Sequence, residues 1–497
     1  MTSTPDTLTP LERQSVARTL RSPQLLFIEV LAGLVTSLAL IPEALAFAVV
    51  AGVDPKVGLF TSVILAITIA IAGGRPAMIS GAAGSTALVI APLVASHGMN
   101  YLVATVLLAG VLQILFAALG VAKLMRFIPR QVMVGFVNAL AILIFSSQLP
   151  QLIGVPWLVY PMVAVGVVLV FGLPKLSSAI PAPLIVIIVL TLFAGLAGAQ
   201  VPTVGDYGEL PSSLPQLFFP DVPLTGETLQ IIAPYALGIT FVGLVESLMT
   251  AKLVDDITDT HSNKTRESWG LGIANLATGI FGGMGGCAMI GQTMINVNGA
   301  RGRTRISTFF SGFFILVLSL VLGDIVAIIP MAALVAIMIF VSLTTFDWHS
   351  ITPKTLRTMP RSETVVMLVT VALTVFTHNL ALGVGAGILT AMALFARRVA
   401  RFVTVDRQLS ADGNSVTYRV DGELFFASSN DLYTLFDYTN DPAHVAIDMR
   451  NSHVWDASTV SALDGITTKY AKLGKTVHVV GLNSDSHQLH DRLTGTL

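Results

Sequence analysis

From residue 26 to residue 399 the chain alternates long apolar runs with short polar breaks. A helix needs about 20 apolar residues to cross the hydrocarbon core of a bilayer. On that measure the pattern predicts fourteen segments: 26–52, 57–73, 84–96, 101–120, 130–147, 156–172, 182–199, 230–250, 267–282, 289–297, 304–322, 325–342, 363–378 and 381–399. The third and the tenth are too short to cross as complete helices. Beyond residue 400 the pattern changes. Short β-branched runs at 415–428, 444–449 and 476–481 alternate with helical stretches at 430–439, 457–473 and 484–494. Such alternation predicts a small α/β domain.

Loop charges test the count independently, because cytoplasmic loops of membrane proteins are enriched in Lys and Arg. With the N-terminus inside, the inner loops and both ends of the membrane region hold nearly all the bases: Arg13, Arg18, Arg21, Arg75, Lys123, Arg126, Arg130, Lys175, Lys252, Lys264, Arg266, Arg301, Arg303, Arg305, Lys354, Arg357, Arg361, Arg397, Arg398 and Arg401. The outer loops hold Lys56, and the longest of them (200–228) holds acids but no base. Dropping either short segment would invert every later loop. Both are therefore counted as crossings, and both chain ends are expected in the cytoplasm.

Composition agrees. Of 497 residues 54% are hydrophobic and 11% charged, with a mean hydropathy of +0.78; soluble chains carry roughly 25% charged residues. A net charge of −1 gives no reason to expect nucleic acid. The lone Cys287 excludes an internal disulfide. The polar start MTSTPDTLTPLERQSVARTL lacks the apolar core of a signal peptide. The expected organisation is a cytoplasmic segment over 1–25, a membrane domain over 26–401 and a cytoplasmic α/β domain over 402–497.

The two short segments read GAAGSTALVIAPLV (81–94) and GCAMIGQTMINVNG (286–299). Each is the third of a block of seven, and an odd offset inserts the second block upside down. That is the inverted-repeat plan of secondary transporters, whose sites lie at the midplane between discontinuous helices. Glycine-rich backbone cannot face lipid but can line a polar cavity within protein. Half-helices starting there would aim their unpaired first N–H groups at one region, an anion site made by two positive dipole ends. Ser85, Thr86, Gln292 and Thr293 stand at those starts. Small residues also permit tight helix packing, the plainer reading of each segment alone.

Acids inside a membrane are costly and mark function. Glu43 follows Pro42 in the first segment and Glu246 lies in GLVESLMT of the eighth, the first of each block. Asp255 and Asp256 are expected to be solvated. No Lys or Arg lies in a segment core. An anion about 6 Å from an ionised Glu246 would be repelled by about 2.8 kcal/mol at an effective dielectric of about 20. A proton on Glu246 would remove that penalty, so proton and anion would bind together. A sodium ion could serve equally.

IPEALAFAVVAGVDPKVGLF (41–60) resembles the signature of the sulfate permease (SulP) family, and GGCAMIGQTMINVNGARGRTR its tenth-segment motif. The resemblance implies an all-α polytopic domain of fourteen spans in a seven-plus-seven inverted repeat, with half-helices at spans 3 and 10, followed by a cytoplasmic STAS domain. It implies an elevator in which a core bundle (spans 1–4 and 8–11) slides against a gate bundle (spans 5–7 and 12–14), and a homodimer in the inner (plasma) membrane. The substrate would be a small anion bound by Gly84, Ser85 and Thr86 opposite Ile290, Gly291, Gln292 and Thr293, with Ala46 and Phe47 alongside. Many animal members carry Arg where this chain has Gln292. That loss of fixed positive charge favours cation-coupled uptake, with H+ or Na+, and a substrate that brings its own proton, such as a dicarboxylate. Sodium-coupled bicarbonate or sulfate uptake is the first alternative; a passive channel and a nucleobase permease are others.

DMRNSHVWDASTV (448–460) resembles the STAS loop, with Ala457 at the position phosphorylated in some STAS proteins. Ser458 is expected to cap the following helix. Asn263 heads a glycosylation triplet on an inner loop, and His378 is expected at the outer surface. No zinc, triad or nucleotide-loop spacing occurs, so neither an enzyme nor a cofactor is expected.

Overall fold

The computed structural model describes residues 15–120, 123, 128–176, 182–223, 225–400 and 403–494. Arg13, Arg126 and Arg401 lie outside them, as do the side chain of Lys175 and the expected junction at 401/402. The chain divides into two compact units, one ending at Ile388 and the other beginning at Leu389.

The first unit is helical. After α1 (Val16–Arg21) come α2 (Pro23–Ala51), α3 (Pro55–Ala72), strand β1 (Ser80–Gly81), α4 (Gly84–Ala118), α5 (Arg130–Gln148), α6 (Val159–Leu176) and α7 (Ala182–Leu196). Next are α8 (Gly226–Thr258), α9 (Lys264–Ile280), strand β2 (Cys287–Ala288), α10 (Ile290–Met294) with its π-helical continuation Ile295–Gly299, and α11 (Arg305–Val321). The series closes with α12 (Gly323–Ala327), α13 (Met331–Thr345), α14 (Pro353–Thr358), α15 (Arg361–Thr377) and α16 (Leu380–Ala400). Among the described residues, six helical stretches are long and apolar enough to cross a bilayer: α2, α3, α4, Arg130–Leu152, α8 and Leu382–Val399.

Local chemistry sets the ends. Proline occupies the first turn of α2 and α3, where its missing N–H costs nothing. Thr225 caps α8 by accepting from the Thr228 N–H, and Asn263 caps α9 by accepting from Arg266. Within α4, Gly98 takes φ +74° and breaks the helix into two limbs. The first limb is thus the third expected segment and the second limb the fourth.

The helices pack in two groups. In one, α4 lies on α8 and α9, α11 lies on α2 and α3, and α3 lies on α9. In the other, α13 contacts α5, α6 and α7, and α15 lies on α5. Lys56, the base expected outside, pairs with Glu209 of the long loop before α8.

In the second unit four strands lie in the order β3 (Thr404–Leu409), β4 (Ser415–Leu424), β5 (His444–Val454) and β6 (Thr476–Val480). β3 and β4 are antiparallel; β4, β5 and β6 are parallel. The helices are α17 (Phe426–Leu432), α18 (Ala457–Lys472) and α19 (Ser484–Leu493). Strand β3 was not expected, and α17 starts before the helix expected over 430–439. The cap of α18 is also corrected: Asp456 accepts from the Thr459 N–H, and Ser458 is exposed. Asp456 stands immediately before the first helical residue with extended backbone, where a side-chain oxygen meets the N3 amide, and Ser458 falls inside the first turn.

Buried Asp441 holds this unit's core together at one end. Its carboxylate accepts from Tyr418 at 2.7 Å, Tyr470 at 2.5 Å and Arg407 at 2.9 Å. Burial, and then the bond to Asp441, push the Tyr470 phenol well up, so it stays a donor at any physiological pH. Asp441→Ala leaves two buried hydroxyls without their acceptor; a loss of about 3 kcal/mol is expected, measurable by denaturant unfolding followed through the far-UV signal of that unit.

Candidate functional site

The glycine-rich stretches before α4 and α10 meet. β1 and β2 pair antiparallel, Ser80 opposite Ala288 and Gly81 opposite Cys287. Met289 N–H donates to Ile79 C=O at 2.9 Å and extends the pairing by one bond. The approach is close enough that a Cβ on Gly286 would overlap the Gly81 carbonyl. Side chains from helices behind hold the two strands. Ser62 of α3 accepts from Ala82 N–H, and Ser247 of α8 accepts from Ala288 N–H, each at 3.0 Å. Asn275 of α9 accepts from Gly286 N–H at 2.9 Å and donates to Gly286 C=O at 3.1 Å, acting as a substitute strand. Because the strands are antiparallel, the helices that follow run apart. Both sets of first amides therefore point back at the crossing, and neither N-terminus has a side-chain cap.

A cavity of about 870 Å³ opens beside the crossing. Gly84, Phe47, Glu43 and Glu246 line it on one side. Ile290, Gly291 and Gln292 line it on the other, Glu43 within reach of the Gln292 amide. Ring and glycine fit each other: a Cβ on Gly84 would lie 2.6 Å from the Phe47 ring. Thr86, Thr293 and Ala46 do not line the cavity. Thr86 donates to Ala83 C=O, Thr293 bonds the Ile79 backbone at both its N–H and C=O, and Ala46 is buried among the helices. Ser85 also stands back from the cavity, with its hydroxyl turned onto Glu246.

Glu246 is the junction of the arrangement. One carboxylate oxygen accepts from Ser85 at 2.5 Å and from the thiol of Cys287 at 3.2 Å. Ser85 heads α4, Cys287 lies in β2 and Glu246 belongs to α8, so one carboxylate ties both broken segments to an unbroken helix. Cys287 is buried and free, and its contact was not foreseen. Its place inside the glycine tract was the one signal available.

The sulfate permease family model matches residues 26–167 and 157–370, and the STAS domain model matches residues 407–494. The chain is 49% identical to the putative sulfate transporter YbaR of Bacillus subtilis (strain 168), over 93% of this chain and 95% of that protein. The chain belongs to the sulfate permease family. It is 27% identical to the bicarbonate transporter BicA of Picosynechococcus, over 78% of this chain and 73% of that one. In fold it resembles murine Solute Carrier 26 family member A9, an anion transporter solved in the inward-facing state, with a TM-score of 0.81, 17% identity and coverage of 99% and 91%.

Three charged groups support the crossing in this member of the family, and sequence reasoning missed their roles. Glu29 of α2 accepts from Arg303 and Thr304 N–H and, through its other oxygen, from Ser307 N–H, so it caps α11 from another helix. Glu267 of α9 accepts from Gly74 and Arg75 N–H, at 2.7 and 3.0 Å. Arg75 itself is buried rather than in a loop open to water. It donates to Asp255 at 2.8 Å and to Thr258 and Thr260. Asp255 is therefore not solvated as expected: it also takes Lys264 at 2.5 Å, because the αL turn at Asp259 folds the chain back onto it. Asp255→Ala leaves the Arg75 guanidinium buried without its counter-charge. A loss of about 3–5 kcal/mol is expected, seen as a lower melting temperature of the purified protein in detergent.

Proposed function

We propose that this chain is a secondary active anion transporter that carries a small anion together with a cation, a proton on Glu246 being the first choice. The observation that carries this reading is the crossing itself. Two uncapped helix starts point at one cavity, and a carboxylate bonded to both broken segments stands in its wall. Amide dipoles supply the anion's attraction, while an ionised Glu246 opposes it. A proton taken up at that carboxylate would make the two bindings cooperative.

The two helix groups supply the parts of an elevator: α2–α4 and α8–α11 as a moving core, α5–α7, α13 and α15 as a gate. The cavity runs from the crossing to exposed Phe27 and Thr344, which lie on the side where the loop charges place both chain ends. This supports an inward-open form; an inner membrane, a domain junction near residue 401 and a homodimer belong to the same proposal on the family pattern. A dicarboxylate, able to bring its own proton, fits a crossing at which Gln292 stands in place of a base. The names of the relatives favour a second reading of the cargo, sulfate or bicarbonate, with sodium as the alternative coupling ion for either.

Proteoliposomes holding the purified chain test both. Uptake of labelled sulfate, bicarbonate and succinate is measured with an inward proton gradient, an inward sodium gradient or neither. Accumulation of one anion above its equilibrium level under a proton gradient is the expected result. Equal, gradient-independent equilibration of all three would mean a passive pore.

A further inference from the structure

We infer that Arg301 is the anion-guiding residue of the inward cavity, a binding residue at its cytoplasmic mouth. The inference rests on the transport reading above and adds a residue that reading does not use.

Four observations converge. Among the described residues that line the cavity, Arg301 is the only Lys or Arg, whereas the same wall carries two carboxylates, Glu43 and Glu246. Its guanidinium is exposed and makes no hydrogen bond or ion pair within the described protein. The other two bases of the GARGRTR tract are committed to backbone: Arg303 to Val297 and Gly302 C=O, Arg305 to Ala70 and Gly73 C=O. Finally, Arg301 sits at φ +62°, a left-handed conformation that disfavours a non-glycine residue. Glycine would suit the backbone better, and glycines stand on either side at Gly299 and Gly302. A side chain held at a strained position, bonded to nothing and turned to a cavity, points to a ligand rather than to folding.

The ligand class follows from the chemistry. A guanidinium presents a planar fork of N–H donors that matches the paired oxygens of an oxyanion such as a carboxylate, bicarbonate or sulfate. At the mouth it would offset the negative wall and raise the local anion concentration. At the midplane the amides of α4 and α10 would take over. A fixed cation at the mouth rather than at the crossing leaves the deep site free to depend on its coupling ion.

The test compares Arg301→Gly with Arg301→Lys in everted and right-side-out membrane vesicles. The probe is whichever of labelled sulfate, bicarbonate and succinate the unaltered protein carries best. Arg301→Gly is expected to keep or raise the melting temperature, since it relieves the backbone. It is also expected to raise KM from the cytoplasmic face by about three- to tenfold and to flatten its ionic-strength dependence. KM from the outer face should change less, and Arg301→Lys should recover most of the loss. An unchanged cytoplasmic KM and salt dependence in Arg301→Gly would overturn the inference and leave the transport reading standing. If the unaltered protein carries none of the three anions, the transport reading fails first and the inference with it.

Discussion

In proteoliposomes, Glu246→Gln is expected to abolish substrate-driven proton movement while leaving the protein folded. The amide keeps the shape of the side chain and can still accept from Ser85 and Cys287, which meet it at 2.5 and 3.2 Å. It cannot take or release a proton. In the unaltered protein an anion about 6 Å from the ionised carboxylate would meet about 2.8 kcal/mol of repulsion, roughly a hundredfold in affinity. The variant lacks that charge at every pH. Its anion affinity should therefore be high and flat with pH, where that of the unaltered protein rises as pH falls. Accumulation against a gradient should disappear, and exchange of labelled for unlabelled anion should survive. A pH-sensitive dye inside the vesicles reads the first effect and counterflow reads the second. Substrate-driven acidification of normal size in Glu246→Gln would remove this residue from the coupling.

The second large effect is expected at Gly286. A methyl group there would overlap the carbonyl of Gly81 and lie 2.6 Å from a Leu65 methyl. Backbone cannot yield there without breaking the β1–β2 pairing and the Asn275 bonds to Gly286. Gly286→Ala is thus expected to lose about 3–5 kcal/mol, enough to abolish the folded protein in membranes. Gly291 provides the contrast. It lines the cavity, and a methyl on it would meet nothing within 4 Å. Gly291→Ala should fold normally and change anion affinity through cavity shape alone. Fluorescence-detected size exclusion and uptake, run on both variants, separate the two effects. Equal behaviour of the two would contradict the close crossing of the strands.

These expectations show what the chain's pattern reveals and what it conceals. The broken segments were legible because three independent signals agree on them: short apolar length, glycine content and the parity of loop charges. The structure brings them together at the β1–β2 pairing. The role of Glu246 was legible in kind, as a rare acid in an apolar helix, but its partners were not. Ser85 looked like a ligand-facing hydroxyl and instead turns onto Glu246. No local spacing reports a contact between residues 161 positions apart. For the same reason the roles of Glu29, Glu267 and Arg75 were not foreseen. Each sits near a segment end, where charge normally means water, and each instead caps or clasps another element across the fold. In the second unit the errors were smaller. Strand β3 is mostly exposed along its length, so it lacks the apolar alternation that marks β4 and β5.

The most direct test is a map of where the anion lies. Crystals or vitrified particles of the protein prepared in selenate, a heavy analogue of sulfate, would place it by anomalous or strong density. The expected result is a peak within hydrogen-bond distance of the amides that open α4 at Gly84 and α10 at Ile290, with Glu246 nearby. A well-occupied peak elsewhere in the membrane unit, with that crossing vacant, would contradict it.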